Sequence, residues 1–351
     1  MYQSFWREMG SQADHAVPGW QSISYFSDVS NVCWFMEPEF ASEVRRLHNL
    51  VGNAVASEDH FIIVGNGSTQ LIQAALYALS PADAPDPISV VSEPPYYSGY
   101  PALTNFLRSP LYRWAGDAKS FQGDTYIEFV CYPNNPDGLM NEAVLNSPNG
   151  KTIHDLAYYW PQYTAITHTA DHDIMLFTVS KSTGHAGTRL GWALVKDEAV
   201  AKKMTKFIEL NTIGVSKDSQ LRAAKILKAV SDGYEIPNPH KEHKLFDFGR
   251  QILSRRWYEL REAVKDSGIF TLPDSQLAPC KFSGKMTENF PGFAWLKCEK
   301  EGADCESLLR DHKIVVRSGV LFGAGPSYAR VSMLDADATF DLFVERLRTI
   351  N

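Results

Sequence analysis

Hydrophobic residues follow two alternating patterns between residues 60 and 230. Short apolar runs rich in β-branched residues are typical of buried strands. Three such runs are residues 61–64, 88–91 and 126–131. Stretches with apolar residues every three or four positions predict amphipathic helices, as in the run that starts near Pro38. Because strands and helices alternate, the pattern predicts an α/β fold with a mostly parallel central sheet and crossover helices.

The pattern changes toward the C-terminus, where it predicts a smaller α+β domain. Residues 197–230 have helical spacing with an interruption at residues 211–214. An apolar stripe through residues 241–265 is typical of one long helix, and it consists of Phe246, Leu253, Trp257 and Leu260. Further strands are predicted at residues 292–298, 314–317 and 329–334, before a helix that begins near Ala338.

The first forty residues are irregular and rich in aromatic side chains: Tyr2, Phe5, Trp6, Trp20, Tyr25, Phe26, Trp34 and Phe35. So much apolar area has to be covered, so we expect this segment to pack across a domain or subunit boundary. We assign residues 1–37 to the small domain together with residues 241–351. Residues 38–240 form the predicted large domain.

Composition narrows the possible partners. The 351 residues are 44% hydrophobic and 21% charged, with a net charge of -7, which is typical of a globular protein and argues against a nucleic-acid or anionic-membrane surface. We expect a small-molecule partner. The five cysteines are scattered, so we expect reduced thiols without a zinc site. The start of the chain has no secretory pattern and no apolar stretch reaches about 18 residues, so we expect a soluble, cytoplasmic protein.

Candidate chemistry follows the predicted strands, where each one ends. Gly67, Ser68 and Thr69 lie between a strand and a helix, a pattern that suits a phosphate cradle, although helix capping alone also selects serine and threonine. Tyr97 follows two prolines and is expected either to cover a loop or to lie flat on a planar ligand. Asn135 lies in a turn after the third strand.

Two further strand ends carry ionisable groups. Asp155 ends a strand and Tyr158 follows three residues later, although aspartate at such a position is equally often a helix cap. Lys181 ends an apolar run among serine, threonine and glycine residues, which leave room for a flat ligand and offer hydroxyls to an anion. An ordinary strand-end lysine is the alternative. Since ligands bind at the carboxyl ends of parallel strands, we expect all these residues to converge on one pocket.

This set of residues suits pyridoxal 5'-phosphate. Lys181 would bond covalently to the cofactor aldehyde, and Asp155 would keep the pyridine nitrogen protonated. Asn135 and Tyr158 could hydrogen-bond the ring oxygen. The phosphate would be held by Arg189 and by the hydroxyls of Ser68, Thr69 and Thr178.

These motifs resemble the fold-type-I pyridoxal-phosphate enzymes, the aspartate aminotransferase superfamily. The similarity includes the Asn135-Pro136-Asp137-Gly138 motif, the step from Asp155 to Tyr158 and the spacing of eight between Lys181 and Arg189. The resemblance implies a transferase fold of type I with a large and a small domain. It also implies that Arg330, in the Tyr328–Ser332 strand motif, binds the α-carboxylate of the substrate.

A closer similarity, to the plant tryptophan aminotransferase and alliinase group, covers nearly the whole chain. It includes residues 18–28, 112–117 and 158–160. It implies an aminotransferase that converts L-tryptophan to indole-3-pyruvate for auxin synthesis, with pyruvate or 2-oxoglutarate as amino acceptor. The alternative that it implies is a carbon-sulfur lyase acting on S-alkylcysteine sulfoxides.

The same resemblance implies a homodimer with shared active sites. Relatives carry more residues upstream, and a tyrosine near that start reaches the phosphate of the neighbouring subunit; Tyr2 is the candidate here. The cysteine-rich module of secreted alliinases has no counterpart ahead of Tyr2, which favours the cytosolic aminotransferase branch.

Overall fold

The computed structural model describes residues 1–236, 244–300, 302 and 304–350. Its largest sheet has seven strands: Phe61–Gly65 (β1), Ile88–Ser92 (β2), Tyr112–Asp117 (β3), Tyr126–Cys131 (β4), Lys151–Asp155 (β5), Ile174–Thr178 (β6) and Gly191–Val195 (β7). Their spatial order is β1-β7-β6-β5-β4-β2-β3, and only β7 is antiparallel to its neighbours within this sheet. The predicted α/β fold with a mostly parallel sheet is confirmed.

Strand β3 is absent from the sequence-based prediction for a physical reason. It lies at the edge of the sheet and pairs only with β2, so most of its side chains remain partly or fully exposed. Polar residues such as Arg113 and Asp117 therefore interrupt the apolar pattern. Edge strands tolerate such residues because one face and one side remain in water.

The described residues form ten α-helices: Gln3–Glu8 (α1), Pro38–Val51 (α2), Gly67–Leu79 (α3), Gly99–Phe106 (α4), Val179–Ser182 (α5), Glu198–Thr212 (α6), Lys217–Glu235 (α7), Leu245–Ser267 (α8), Cys305–Asp311 (α9) and Asp337–Arg348 (α10). Helix α2 begins with Pro38 and ends at Gly52, which has a positive φ of 70°, as proline and glycine preferences predict. The predicted interruption between α6 and α7 is confirmed, with Ile213 and Gly214 both at positive φ.

The C-terminal part of the chain forms a second, four-stranded antiparallel sheet. Its strands are Phe270–Thr271 (β8), Phe293–Cys298 (β11), Arg317–Ser318 (β12) and Tyr328–Ser332 (β13), and a separate hairpin is formed by Leu277–Cys280 (β9) and Lys285–Glu288 (β10). The strand predicted at residues 314–317 is wrong in its bounds. Ile314 and Val316 are buried without pairing in the sheet, so their apolar pattern reflects packing and not a strand.

The long helix predicted at residues 241–265 is described from Leu245, and its four stripe residues are all buried. Residues 241–243 lie outside the described residues, as does the boundary predicted between residues 240 and 241. The division into two domains therefore stays a prediction. Within the described part of the chain, no helix is long and apolar enough to cross a membrane.

The expectation of five reduced cysteines is wrong for two of them. Cys298 at the end of β11 and Cys305 at the start of α9 form a disulfide, with their Cα atoms 5.6 Å apart. Backbone hydrogen bonds from both residues to the segment before β13 bring them together: Cys298 donates to Ser327 and Cys305 to Pro326. Their separation in sequence gave no sign of this turn. Cys33, Cys131 and Cys280 are buried free thiols.

The aromatic N-terminal segment is covered only in part. Phe5 and Phe35 belong to the main hydrophobic core. In contrast, Trp20 is 71% exposed and Ile23 is 82% exposed. The two ends of this segment therefore pack against the body of the protein, while packing of the segment across a domain or subunit boundary stays a prediction.

Helix α8 supports the segment that follows β13 through Arg256, which leads to a stability prediction. The buried Arg256 guanidinium donates to the carbonyls of Met333 (2.6 Å) and Asp335 (2.9 Å) and pairs with Asp337. We expect Arg256→Met to lower the free energy of unfolding by about 2–3 kcal/mol, because buried carbonyls lose their donors. Urea denaturation measures this loss.

Arg255 provides the matched control. The Arg255 side chain is 55% exposed, and its guanidinium also pairs with Asp337, at 3.2 Å. We expect Arg255→Met to change the free energy of unfolding by less than about 1 kcal/mol, because surface ion pairs contribute little. Equal losses in the two variants would contradict the role given to Arg256.

Candidate active site

The turn that carries Lys181 begins where β6 ends. Thr178 caps α5, since its Oγ1 atom accepts from the backbone N–H of Ser180 (3.2 Å) and its hydroxyl lies 3.0 Å from the Leu190 carbonyl. The hydroxyl hydrogen is thus engaged within the protein. Thr178 therefore holds the start of the turn, and its contact with a phosphate stays a prediction.

Lys181 is half-buried among aromatic rings. Its Nζ atom lies 5.3 Å from the ring centroid of Tyr158 and 6.0 Å from that of Phe293. Burial, followed by the positive charges of Arg330 and Arg189, lowers the pKa of Lys181 to about 8, and Asp155 acts in the opposite direction. About one tenth of the amine is therefore neutral at pH 7, and this is the form that a nucleophile or a general base requires.

Asp155 lies at the end of β5 and is 5% exposed. Its carboxylate accepts hydrogen bonds from the Tyr100 hydroxyl (3.0 Å) and the backbone N–H of Ala157 (3.2 Å). Burial raises the pKa of Asp155, and these two bonds and Lys181 oppose the shift. The carboxyl therefore faces the same space as the lysine amine.

Tyr100 is a site residue that sequence reasoning missed. Its ring stacks on Phe129 at a centroid distance of 4.3 Å, which directs the hydroxyl to Asp155. The ring of Tyr97 meets it edge-on at 5.4 Å. Burial and the charge of Asp155 raise the pKa of Tyr97, whereas Arg330 lowers it, so Tyr97 lies near both charged groups. The one sequence signal for Tyr100 is its position three residues after Tyr97, which is the spacing of side chains on one face of a helix.

An anion cradle lies at the N-terminus of α3. Gly67 has a positive φ of 69°, and a Cβ atom there would lie 2.6 Å from Nη2 of Arg189. A Cβ atom on Gly191 would lie 2.8 Å from the backbone nitrogen of Ser68. The Asn66 side chain does not cap this helix. Free N–H groups beside a guanidinium are suited to a phosphate.

The predicted cradle residues differ in exposure. Gly67 is buried, Ser68 is half-buried, and Thr69 and Arg189 are exposed. Arg189 also donates to the carbonyl of Ala186 (2.9 Å), which holds its side chain beside the helix start. The geometry thus brings Gly67, Ser68 and Arg189 together, and places Thr69 on the outside of the same turn.

Arg330 on β13 faces the site from the second sheet. Its Nη1 atom donates to Oδ1 of Asn135 (2.9 Å), and its guanidinium carbon lies 4.0 Å from the ring centroid of Phe293 and 5.0 Å from that of Phe322. Burial lowers the pKa of Arg330 to about 10. Its Nε atom has no hydrogen-bond partner among the described residues. A buried guanidinium beside two aromatic rings is suited to bind a carboxylate.

Tyr2 packs against the segment that follows β5. It is buried in its own protomer, where its hydroxyl bonds that of Tyr163 (3.0 Å) and accepts from Gln162 (3.3 Å). Burial raises the pKa of Tyr2 to about 12. The side chain therefore packs within its own protomer, and the expected contact with the phosphate of a neighbouring subunit stays a prediction.

The arrangement fits pyridoxal 5'-phosphate. Asp155 is placed for a pyridine nitrogen, the start of α3 with Arg189 for a phosphate, and Lys181 for the aldehyde carbon. The buried hydroxyl of Tyr158 has no hydrogen-bond partner among the described residues, as expected of a group that waits for a ligand oxygen. The described residues contain no group of three or more histidine, cysteine or acidic side chains that could hold a metal ion.

Comparison with known proteins identifies the family. A family model described as allinase matches residues 1–351. The chain belongs to the allinase family. The allinase-family chain is 61% identical to tryptophan aminotransferase-related protein 2 of Oryza sativa subsp. japonica, over 100% of this chain and 71% of that protein. It is 37% identical to an alliin lyase of Allium cepa var. aggregatum, over 99% of this chain and 78% of the lyase.

The allinase-family chain also resembles solved aminotransferases. It matches the aspartate aminotransferase of Rhizobium meliloti with a TM-score of 0.66 at 17% identity, over 93% of this chain and 83% of that one. Identity this low shows the shared fold. Family and fold together place the chain among the pyridoxal-phosphate-dependent aminotransferases, and they confirm the predicted fold type and cofactor.

The lowered pKa of Lys181 predicts a pH-dependent stability. Between pH 8 and the ordinary pKa of 10.5, the unfolded chain binds more protons at this lysine than the folded chain, so stability rises with pH. We expect the free energy of unfolding of the cofactor-free wild type, relative to Lys181→Met, to increase by about 2 kcal/mol from pH 7.5 to pH 10. Urea denaturation at both pH values measures it. Parallel pH profiles for the two proteins would contradict the lowered pKa.

Proposed function

We propose that this aminotransferase acts on an aromatic L-amino acid, L-tryptophan, and gives indole-3-pyruvate in auxin biosynthesis. Pyruvate or 2-oxoglutarate accepts the amino group in this proposal. The name of the rice relative at 61% identity supports the substrate. The observation that carries the proposal is the aromatic ring of Phe293, whose centroid lies 4.0 Å from the guanidinium carbon of Arg330 and 6.0 Å from the amine of Lys181.

The proposed roles follow from this geometry. Arg330, held by Asn135, binds the substrate carboxylate. Lys181 in its neutral form would take the proton from the α-carbon of the amino acid and then donate it to the C4' atom of the cofactor. It can do so because its amine is desolvated and its pKa is about 8. When bound, pyridoxal phosphate supplies the electron sink that makes this carbon acidic. Asp155 stabilises the protonated pyridine nitrogen.

The aromatic surroundings favour a planar side chain. Tyr158 and Phe293 meet edge-on at 5.5 Å beside the lysine, and Phe322 covers the other side of Arg330 at 5.0 Å. Aromatic pairs in offset or edge-on geometry gain about 0.5–1.5 kcal/mol beyond area burial. An indole ring placed against these rings would gain contacts that a short aliphatic side chain lacks.

A substrate panel tests the proposal. We expect the wild type, loaded with pyridoxal phosphate, to form more than one equivalent of indole-3-pyruvate from L-tryptophan only when a 2-oxo acid is present. It should act at least tenfold less efficiently on L-alanine. Arg330→Lys should raise KM for tryptophan about tenfold or more, because a lysine cannot form the bidentate contact. The exposed Arg317, changed to lysine, is the matched control.

The alternative activity is elimination of a β-sulfoxide. The 37% identity to an alliin lyase supports this alternative. Release of pyruvate and ammonia from an S-alkylcysteine sulfoxide without any 2-oxo acid would favour this lyase reaction and contradict the aminotransferase proposal. Chromatography of the keto-acid products separates the two reactions.

We also propose that the protein is a homodimer. The middle of the N-terminal segment exposes apolar side chains together, since Trp20, Ile23 and Val29 are 71%, 82% and 78% exposed. Several large apolar side chains exposed in one short segment are typical of a surface that another chain covers. A cytoplasmic location stays a prediction, and the disulfide between Cys298 and Cys305 weakens the cysteine argument for it.

The dimer proposal predicts a change in mass. The double variant Ile23→Asp/Val29→Asp should sediment as a monomer at a concentration where the wild type is a dimer, because a desolvated carboxylate at an interface is costly. Val315→Asp, at a site that is 90% exposed elsewhere, should leave the dimer intact. Analytical ultracentrifugation gives the masses, and a dimeric double variant would show that this surface is not the interface.

A further inference from the structure

The helical turn that carries Lys181 depends on side chains from elsewhere in the chain. Helix α5 has four residues, so the carbonyls at its end lack partners within the helix. The Lys181 carbonyl accepts from the Tyr163 hydroxyl (3.1 Å) and from Gln162 (3.2 Å), and Gln162 also donates to the Ser182 carbonyl (3.1 Å). The main chain of the lysine is therefore held from the segment after β5.

Helix α1 and Tyr2, the residue directly before it, complete this support. The indole Nε1 of Trp6 donates to the Thr183 carbonyl (3.0 Å), and the Tyr2 hydroxyl bonds the Tyr163 hydroxyl (3.0 Å). Tyr163 gives its hydrogen to Lys181, so Tyr2 is the donor in the bond between the two tyrosines. Three successive carbonyls, of residues 181–183, are thus bound by side chains that α1 supplies or orients.

The packing of α1 allows little freedom. A Cβ atom at Gly184 would lie 2.4 Å from the Tyr2 ring, and one at Gly249 on α8 would lie 3.1 Å from it. The Trp6 ring meets His185 at 4.6 Å, and Phe5 meets Phe248 of α8 at 5.3 Å. Helix α1 therefore fills the space between the lysine turn and α8.

Helix α8 connects this contact to the carboxylate receptor. Its Arg256 binds the Met333 carbonyl directly after β13, the strand that carries Arg330. The lysine turn and the arginine strand thus meet the same support, through α1 on one side and α8 on the other. A rigid α1 keeps the amine and the guanidinium in a constant relation.

We propose that α1 is a positioning element for the catalytic lysine, with Tyr2 and Trp6 as its positioning residues. The inference rests on the proposed function in so far as Lys181 is the reactive amine. Neither side chain touches the ligand site through a hydrogen bond of its own; both act through the backbone of residues 181–183. Their loss should loosen the turn and leave the carboxylate receptor unchanged.

Hydrogen exchange of the enzyme loaded with pyridoxal phosphate tests the proposal. The amides of Thr183 and His185 both donate to the Val179 carbonyl, so they report on this turn. We expect the double variant Tyr2→Phe/Trp6→Phe to exchange at least fivefold faster in the peptide that contains residues 179–185, which corresponds to about one net hydrogen bond. The pH midpoint of the cofactor absorbance should shift, and kcat should fall with KM for the amino acid unchanged.

Tyr234→Phe is the matched control. The Tyr234 hydroxyl is half-buried at the start of α8, where it accepts from the Phe246 backbone (3.0 Å), and it does not contact the lysine turn. We expect this variant to lose stability without faster exchange in residues 179–185. Exchange in the double variant no faster than in Tyr234→Phe would overturn the proposal, and so would faster exchange with an unchanged absorbance midpoint and kcat.

Failure of the proposed function is distinguishable from failure of this inference. If L-tryptophan is not a substrate, but the exchange rate and the absorbance midpoint respond as expected, α1 positions Lys181 for a different reaction and the inference stands. If tryptophan is converted and the double variant behaves as the control, only the inference fails.

Discussion

The structure depends on the burial of opposite charges at the carboxyl edge of one sheet. Asp155 is the last residue of β5, and Lys181 lies in the turn of α5 directly after the neighbouring strand β6. Arg330 reaches the same space from β13 of the second sheet. Burial moves the lysine pKa down and the aspartate pKa up, and the attraction between the two groups only reduces these shifts. Desolvation thus outweighs pairing, and the site holds an amine that can lose its proton near neutral pH.

Sequence analysis could locate the site because parallel strands end on one edge. Three of the predicted residues lie at or just after the end of a strand: Asn135, Asp155 and Lys181. The topology of the sheet alone brings such positions together. What the sequence could not indicate are contacts between distant segments. The bond from Tyr100 to Asp155 joins residues 55 apart, and that from Tyr2 to Tyr163 joins residues 161 apart. Local patterns contain no information on such pairs.

Short polar side chains were ambiguous for a different reason. Thr178 beside a lysine suits either a phosphate or a helix cap, because one hydroxyl can serve both. In the structure this hydroxyl lies 3.0 Å from the carbonyl of Leu190, the residue directly before β7, and its oxygen caps α5. The cap fixes the direction in which α5 leaves the sheet, so Thr178 contributes to the site through the backbone.

Glycine near the lysine also has a structural explanation. The sequence suggested that glycine leaves room for a flat ligand, yet the space beside Gly184 is filled by the Tyr2 ring. Gly184 has a φ of +83°, which a residue with a side chain rarely adopts, so both the backbone and the neighbour require glycine there. The chain reversal at Gly184 exposes the last carbonyls of the turn to Gln162, Tyr163 and Trp6. The lysine is therefore held by a framework that a longer helix would not have needed.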